Sequence, residues 1–387
     1  MRVLIVTRNL PPLVGGMEQL NWHLADELTK YAEVQIIGPP GSAALAPANT
    51  SVREVPLTPL PRFLLSADAR ARYAARHWQP DVVLAGSGLT APVALRAART
   101  CKAKSAVYVH GLDVVVKSFL YRHLWLPALR RADRVIANSH ATAELCRERG
   151  VDAARVGIVY PGVTLPAHAA THEATAHFRA EQGLSDGPLL LSVGRLTARK
   201  GLREFVVQCL PRIVAKHPDA TLLVVGDAPK QSLHARTQTP ASIQTAADTA
   251  GVGKHLHFAG VITDRAQLAT IYQAADVHVF PVREIAGDPE GFGMVAVEAA
   301  AHGLPTVAFA TGGVADAVAA GQSGYLVPPG DYTAFGAAVL RTLDAQDMLR
   351  NACMRFAQQF AWPAFGQQIA RELGLTEPAS HKSATTP

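Results

Sequence analysis

Short runs rich in Val, Ile and Leu recur along this chain, many of them followed by a stretch in which apolar positions return every three or four residues. The runs at 3–6, 34–37, 82–85, 106–109, 134–137 and 156–159 read as strands, and so do those at 189–193, 221–225, 255–258, 277–280, 306–309 and 325–327. A strand that is apolar at every position, rather than at every second one, is covered on both faces, which is the condition of a parallel sheet. Helical spacing between the runs predicts helices over 17–30, 91–100, 202–216, 265–274, 294–302 and 314–319. Strands alternating with helices in this way predict an α/β chain of two doubly wound, Rossmann-like domains in tandem.

Pro161-Gly162 stops the first pattern, and 163–187 reads as a connection holding a short helix. The expected domains are therefore 1–165 and 188–361, joined by a linker over 166–187. Past Asp331 the spacing is helical to about residue 373, broken at Trp362-Pro363, and the Ser-, Thr- and Pro-rich tail 376–387 is expected to be disordered. At 387 residues the chain is long enough for two cores.

Composition narrows the setting. No stretch approaches the roughly 20 apolar residues that a spanning helix needs, and the opening apolar run is cut short by Arg8. Cys101, Cys146, Cys209 and Cys353 lack metal-ligand spacing and read as reduced, packed thiols, so a cytoplasmic location is expected. Residues 1–165 carry 20 Lys and Arg against 12 Asp and Glu, a net of +8, while the remainder stands at −2. The cations gather at Arg62, Arg70, Arg72 and Arg76, and again at Lys117, Arg122, Arg130, Arg131 and Arg134, the second group interleaved with Phe119, Leu120, Tyr121, Leu124, Trp125 and Leu126. That second stretch suits a peripheral position on an anionic membrane surface, the alternative being a solvated face over an ordinary core. No nucleic-acid-binding module accompanies the basic residues, and no nucleic-acid partner is expected.

The loops after strands are where parallel sheets bind ligands. After the first run comes Asn9-Leu10-Pro11-Pro12-Leu13-Val14-Gly15-Gly16, whose paired glycines let a phosphate or sugar approach backbone at a helix start. Val109-His110-Gly111 ends another strand, where His110 either reaches a substrate or bonds to its own loop. Gly194, Arg195 and Lys200 share one loop, either a diphosphate clamp or a solvated basic turn. Gly226 and Val261 end two further strands, where backbone can hold a nucleobase edge. The most specific signal is Glu290-Gly291-Phe292-Gly293-Met294-Val295-Ala296-Val297-Glu298, which sets two carboxylates eight positions apart across a glycine turn and a helix start. Glu290 suits sugar hydroxyls and Glu298 a ribose diol, since a carboxylate accepts two hydroxyl hydrogens. Local capping or pairing is the other reading of Glu298, and Glu284 and Asp288 compete with Glu290.

These residues, with Asn138-Ser139, Gly303-Leu304-Pro305, Gly312-Gly313 and Gly324-Tyr325-Leu326-Val327, resemble the retaining glycosyltransferase family 4 over most of the chain. The resemblance implies the GT-B fold, two Rossmann-like domains facing each other across a cleft that closure completes, with a last helix over 362–375 crossing back to the first domain. It implies transfer of a hexose from a GDP- or UDP-linked sugar as co-substrate, with no other cofactor and no metal, to a glycan or lipid-linked acceptor. By analogy Arg195 and Lys200 hold the diphosphate; Glu290 and the backbone of Phe292, Gly293, Met294 and Val295 hold the sugar; Glu298 holds the ribose; Gly15-Gly16 meets the phosphate and His110 lies near the reacting carbon. The stretch 284–290 is similar to that of bacterial enzymes that use GDP-mannose to build phosphatidylinositol mannosides. Sugar-nucleotide epimerases of the same fold, and a non-catalytic descendant, are the competing readings; a dehydrogenase is disfavoured by the lack of a GxGxxG fingerprint.

Overall fold

A computed structural model describes residues 1–116, 118–168, 170–229 and 237–375. Lys117 of the basic cluster and the tail at 376–387 lie outside the described residues. Seven strands, β1 (Arg2–Val6), β2 (Glu33–Gly38), β3 (Thr50–Glu54), β4 (Val82–Ala85), β5 (Lys104–Val109), β6 (Arg134–Ala137) and β7 (Val156–Ile158), form one parallel sheet in the order β3-β2-β1-β4-β5-β6-β7. A second parallel sheet holds β8 (Leu189–Val193), β9 (Thr221–Val225), β10 (Leu256–Gly260), β11 (Val277–Phe280), β12 (Thr306–Phe309) and β13 (Gly324–Val327) in the order β10-β9-β8-β11-β12-β13. Both sheets are doubly wound, and the direction of strand addition reverses at β1/β4 and at β8/β11.

The side-chain period of two explains the unbroken apolar runs. Leu4, Val6, Val83, Ala85, Val107 and Val109 enter one core of the first sheet, while their neighbours Val3, Ile5, Val82, Leu84, Ala106 and Tyr108 enter the core on the other face. In the second sheet Leu190, Leu222 and Val224 face one core and Leu189, Leu191, Leu223 and Val225 the other. Most strand residues are therefore apolar, with a few buried polar ones such as Ser105, His278 and Thr306, and no solvated face exists to impose alternation. β3 is the exception: Thr50-Ser51-Val52-Arg53-Glu54 pairs with β2 at the edge, mostly exposed and mostly polar, so its sequence carries no apolar run and is missed.

The helices Leu60–His77 and Pro240–Thr249 were not expected either, and two elements that were expected differ in form. The helix expected over 202–216 is two, Leu202–Gln208 and Leu210–Lys216, because Pro211 has no N–H to give and fits only in the first turn of a new helix. The strand expected at 255–258 runs instead as β10, with Ala259 out of register between Phe258 and Gly260.

Packing divides the chain into one unit of Met1–Gly162 with the segment from Trp362 onward, and a second of Val163–Ala361. Residues 163–187 belong to the second unit. Their helix, His172–Glu181, buries Phe178 against Leu189 and Ile271, and Arg179 bonds the Ala274 and Gly187 carbonyls and the Asp276 carboxylate. The last helix, Trp362–Leu373, lays Phe365, Ile369, Ala370 and Leu373 into the core of the first sheet beside Tyr108 and Ile136, and Trp362 stacks on His23. Among the described residues no helix is long and apolar enough to cross a membrane.

Phe365 is 2 % exposed in that core, so Phe365→Ala is expected to cost about 3–5 kcal/mol. Chemical denaturation followed by tryptophan fluorescence measures it; a loss below about 1 kcal/mol would show that the helix contributes little to the first unit.

Candidate functional site

The two strands at the reversal point of the second sheet, β8 and β11, are hydrogen-bonded neighbours whose following connections leave on opposite faces. Their ends therefore border a crevice, the place where an open α/β sheet binds ligands. The loop after β8 carries Gly194, Arg195, Arg199 and Lys200, and the loop after β11 carries Asp288 and Glu290. Tertiary structure joins them, for the Arg283 N–H donates to the Arg199 carbonyl at 2.8 Å, and the loop after β12 is tied on as well by the Gly313 N–H donating to the Glu290 carbonyl at 3.0 Å.

Four charged side chains meet between these loops. Lys200 Nζ lies 2.8 Å from Glu290 Oε2, Arg199 Nη1 pairs with the same oxygen, and Arg199 Nε lies 3.1 Å from Asp288 Oδ1. All four are largely shielded, with Arg199 and Glu290 side chains only 11% and 12% exposed. Lys200 also sits 4.6 Å above the Phe280 ring, a cation–π contact. Burial pushes the Glu290 carboxyl up, but Lys200 and Arg199 outweigh it and hold it below the usual carboxylate range. Burial lowers the Lys200 ammonium, and Glu290 opposes that shift. Beneath Lys200, His278 of β11 is fully buried with Nδ1 3.1 Å from the Thr306 hydroxyl, and burial, aided by the Lys200 charge, lowers it to about 3. Its ring is neutral at physiological pH.

The loop after β11 ends in the helix Met294–Ala301. Gly293 precedes it at φ 97°, and a Cβ there would come 2.9 Å from the Phe280 ring, so only glycine makes this entry. The first N–H groups of the helix have no intrahelical partner and present a partial positive charge. Phe292 is buried and in ring contact with Phe360. Glu298, one turn in, accepts a 3.0 Å hydrogen bond from the Tyr272 hydroxyl on its Oε2. Burial raises its carboxyl above the usual range, with Tyr272 and Arg265 pulling the other way.

The residues expected from the sequence are thus only partly gathered. Lys200 and Glu290 are in direct contact, and Glu298 lies on the adjoining helix; Arg195 is exposed. Gly194 and Gly226 are laced together, for the Gly194 N–H donates to the Val225 carbonyl, the Gly226 N–H donates to the Gly260 carbonyl, and a Cβ on Gly226 would overlap the Gly194 carbonyl. Val261 is exposed just past β10. In the first unit Gly15 and Gly16 are exposed at the start of the helix Gly16–Leu28. His110 follows β5. Its backbone N–H, not its ring, bonds to its own loop, at Asp113 Oδ1, while ring Nε2 lies 3.0 Å from the Gly86 carbonyl after β4. A carbonyl only accepts, so Nε2 carries a proton and donates it to Gly86. Arg199, Tyr272, His278 and Phe280 were not singled out from the sequence. Arg199 stands beside Lys200 in the same motif, but nothing in spacing distinguishes a cation that pairs from one that stays in water.

A buried neutral histidine and a buried ionised glutamate are both shifted downward, and both make the folded state lose stability in acid. His278 falls from 6.5 to about 3, so the folded state resists protonation and loses stability as pH drops below 6.5. Glu290, held below 4.5, contributes stability present above that pH and lost as pH falls through its folded value. Unfolding free energy should therefore decline from pH 6.5 downward by up to about 1.4 kcal/mol per pH unit per buried histidine, His302 at about 4 adding to it. His278→Asn should flatten the curve between pH 6.5 and 4.5. Glu290→Gln should flatten it below 4.5 and cost about 3–5 kcal/mol at pH 7 by leaving buried cations short of a partner. Denaturant titrations across pH measure both; unchanged slopes would refute the assignments.

Residues 14–165 match the family profile described as Glycosyltransferase Family 4, and residues 187–345 the one described as glycosyl transferases group 1. The GDP-mannose-dependent alpha-(1-6)-phosphatidylinositol monomannoside mannosyltransferase of Mycolicibacterium smegmatis is 28% identical over 96% of this chain and 98% of its own. D-inositol 3-phosphate glycosyltransferase 2 of Catenulispora acidiphila is 35% identical over 60% of this chain and 54% of its own, so the chain spans about half the length of that relative. Among solved structures, Anabaena HepE in complex with UDP superposes with a TM-score of 0.80 at 20% identity, covering 97% of this chain and 100% of that one. Sucrose-phosphate synthase from Thermosynechococcus elongatus does so with a TM-score of 0.76 at 24% identity, covering 96% and 97%. Matched by profiles of one lineage through both sheets and carrying the GT-B fold, the chain belongs to the family 4 glycosyltransferases.

Proposed function

We propose that this glycosyltransferase moves a hexosyl group from a nucleotide diphosphate sugar to an acceptor hydroxyl, with retention at the anomeric carbon and without a metal ion, in the synthesis of a cell-envelope glycolipid or polysaccharide. The observation that carries the reading is the pairing of Lys200 and Arg199 with Glu290 at the β8/β11 reversal, immediately before a helix N-terminus. Two cations and unpaired backbone N–H groups suit a diphosphate, and a carboxylate beside them suits sugar hydroxyls. A diphosphate brings more negative charge than one carboxylate. It would take over Lys200 and, with exposed Arg195, release Glu290 toward the sugar, while Glu298 is assigned to the ribose and the backbone at Gly226 and Val261 to the nucleobase edge.

In this reading the acceptor oxygen attacks the anomeric carbon from the face the diphosphate leaves. The bond from that carbon to the diphosphate oxygen breaks, its electron pair stays on the phosphate, and that oxygen takes the acceptor proton. Charge grows on the leaving group as the bond breaks, so Arg195 and Lys200 stabilise the transition state more than the ground state and fill the role a divalent cation would have. The relative matched along nearly its whole length is named for GDP-mannose and for a phosphatidylinositol mannoside, which supports GDP-mannose as first donor and a lipid-linked acceptor.

Arg195→Ala and Lys200→Ala are each expected to lower kcat by about 10²–10³, the scale of one lost charge-stabilising donor. Only Lys200→Ala should also lower stability, because Arg195 is exposed and Lys200 is paired inside. Steady-state assays with the donor that best raises Tm among GDP-mannose, UDP-glucose and ADP-glucose provide the test; wild-type turnover in both variants would defeat the site. Turnover should be unchanged in EDTA, and NMR of the first product should show the donor's anomeric configuration. An inverted product or an EDTA-sensitive rate would overturn those parts separately.

A further inference from the structure

Of the basic and aromatic stretch after β5, the helix Leu126–Arg131 is a solvated face over an ordinary core, with Leu126, Ala128 and Leu129 buried under exposed Arg130 and Arg131, but the part before it is not. That part forms a short helix, Phe119–Leu124, whose one buried side chain is Tyr121, anchored by its hydroxyl donating to the Asp113 carbonyl at 2.6 Å. Trp125 is half-buried and fastens the next turn through Nε1 to the Leu89 carbonyl at 2.7 Å. Phe119, Leu120 and Leu124 are turned out, 76%, 59% and 54% exposed, with Leu112 of the adjacent turn 40% exposed. Arg122 and His123 on the same helix and Arg130 and Arg131 just beyond are exposed as well. The helix is thus held to its domain through Tyr121 and Trp125 alone, with its other apolar side chains outward.

We propose that the Phe119–Leu124 helix is the point at which this chain docks on an anionic bilayer, Phe119, Leu120 and Leu124 entering the interface and Arg122, Arg130 and Arg131 meeting lipid headgroups. Two observations select a bilayer over a second protein surface. Such a helix offers far less than the roughly 800 Å² per partner of a stable protein interface. The exposed cations on this helix and on the one that follows, in a half of the chain with a net charge of +8, complement acidic lipid and would repel a second copy of the chain. Arginine stems can lie along the apolar tip while the guanidinium groups stay at headgroup level. The surface is independent of the transfer reaction and stands whether or not the donor assignments hold.

Co-sedimentation of the full chain with vesicles of phosphatidylcholine alone, or with 30% phosphatidylglycerol added, tests the proposal, using Phe119→Ser/Leu120→Ser/Leu124→Ser and Arg122→Gln/Arg131→Gln variants. All five positions are exposed, so thermal melts should match wild type and exclude misfolding. Binding to the anionic vesicles is expected, weakening with salt, about fivefold weaker for each arginine removed, and at least tenfold weaker for the triple variant. Equal binding to both vesicles, or a triple variant that binds like wild type, would overturn it. So would concentration-dependent dimerisation that the triple variant abolishes, which would give the patch to a second copy.

Discussion

The fold rests on one constraint: a parallel strand inside the sheet has no solvated face, so each of its side chains must find a core on one side or the other. Val3 and Leu4, or Leu190 and Leu191, are neighbours in sequence and lie in different cores. Helices are required on both faces to close those cores, and the connections between strands and helices then gather at the strand ends. The first sheet completes one of its cores with the chain's last helix, whose Phe365 and Ile369 pack beside Tyr108 and Ile136. That is why residues from Trp362 onward belong with Met1–Gly162 although two hundred residues of the other unit intervene.

The same topology leaves one place in each sheet where connections diverge. In the second sheet it lies between the loops after β8 and β11, and four mutually paired charged side chains gather there. Arg199, Lys200, Asp288 and Glu290 compensate one another in a setting that penalises each of them alone. Such a cluster contributes little net stability compared with an apolar filling of the same volume, and its presence at a reversal point argues for a role in binding charge. Supporting side chains are packed beneath it: Phe280 faces Lys200, and His278 is kept neutral so that no further cation competes for the carboxylates.

Polar side chains elsewhere are engaged in fixing loops at strand ends. Asp113 accepts from the N–H groups of both His110 and Gly88, joining the ends of β5 and β4, and the Gly86 carbonyl sets the proton on the His110 ring. Tyr272 holds one oxygen of Glu298. These bonds orient groups whose own chemistry was visible from their residue type, and none of them is suggested by neighbouring sequence.

Strand positions were legible in the sequence because burial on both faces favours an apolar residue at most positions, a signal that is local and dense; β4, β6, β8, β9, β11 and β12 begin and end where the apolar runs do. The edge strand β3 was not, since it is exposed and owes its place to pairing with β2. The glycine turn with its two glutamates, the Gly-Arg and Lys-Gly loop and the family resemblance were legible as well, since those residue types are tied to what the backbone and the ligand require. What only the tertiary structure decided was the pairing: that Arg199 rather than Arg195 joins Lys200 on Glu290, that His110 leans on Gly86, and that Phe119, Leu120 and Leu124 face outward while Tyr121 faces in. Such choices depend on which loops the sheet order brings together and on how deeply each side chain is desolvated, and neither distance nor burial is written in the spacing of residues along a chain.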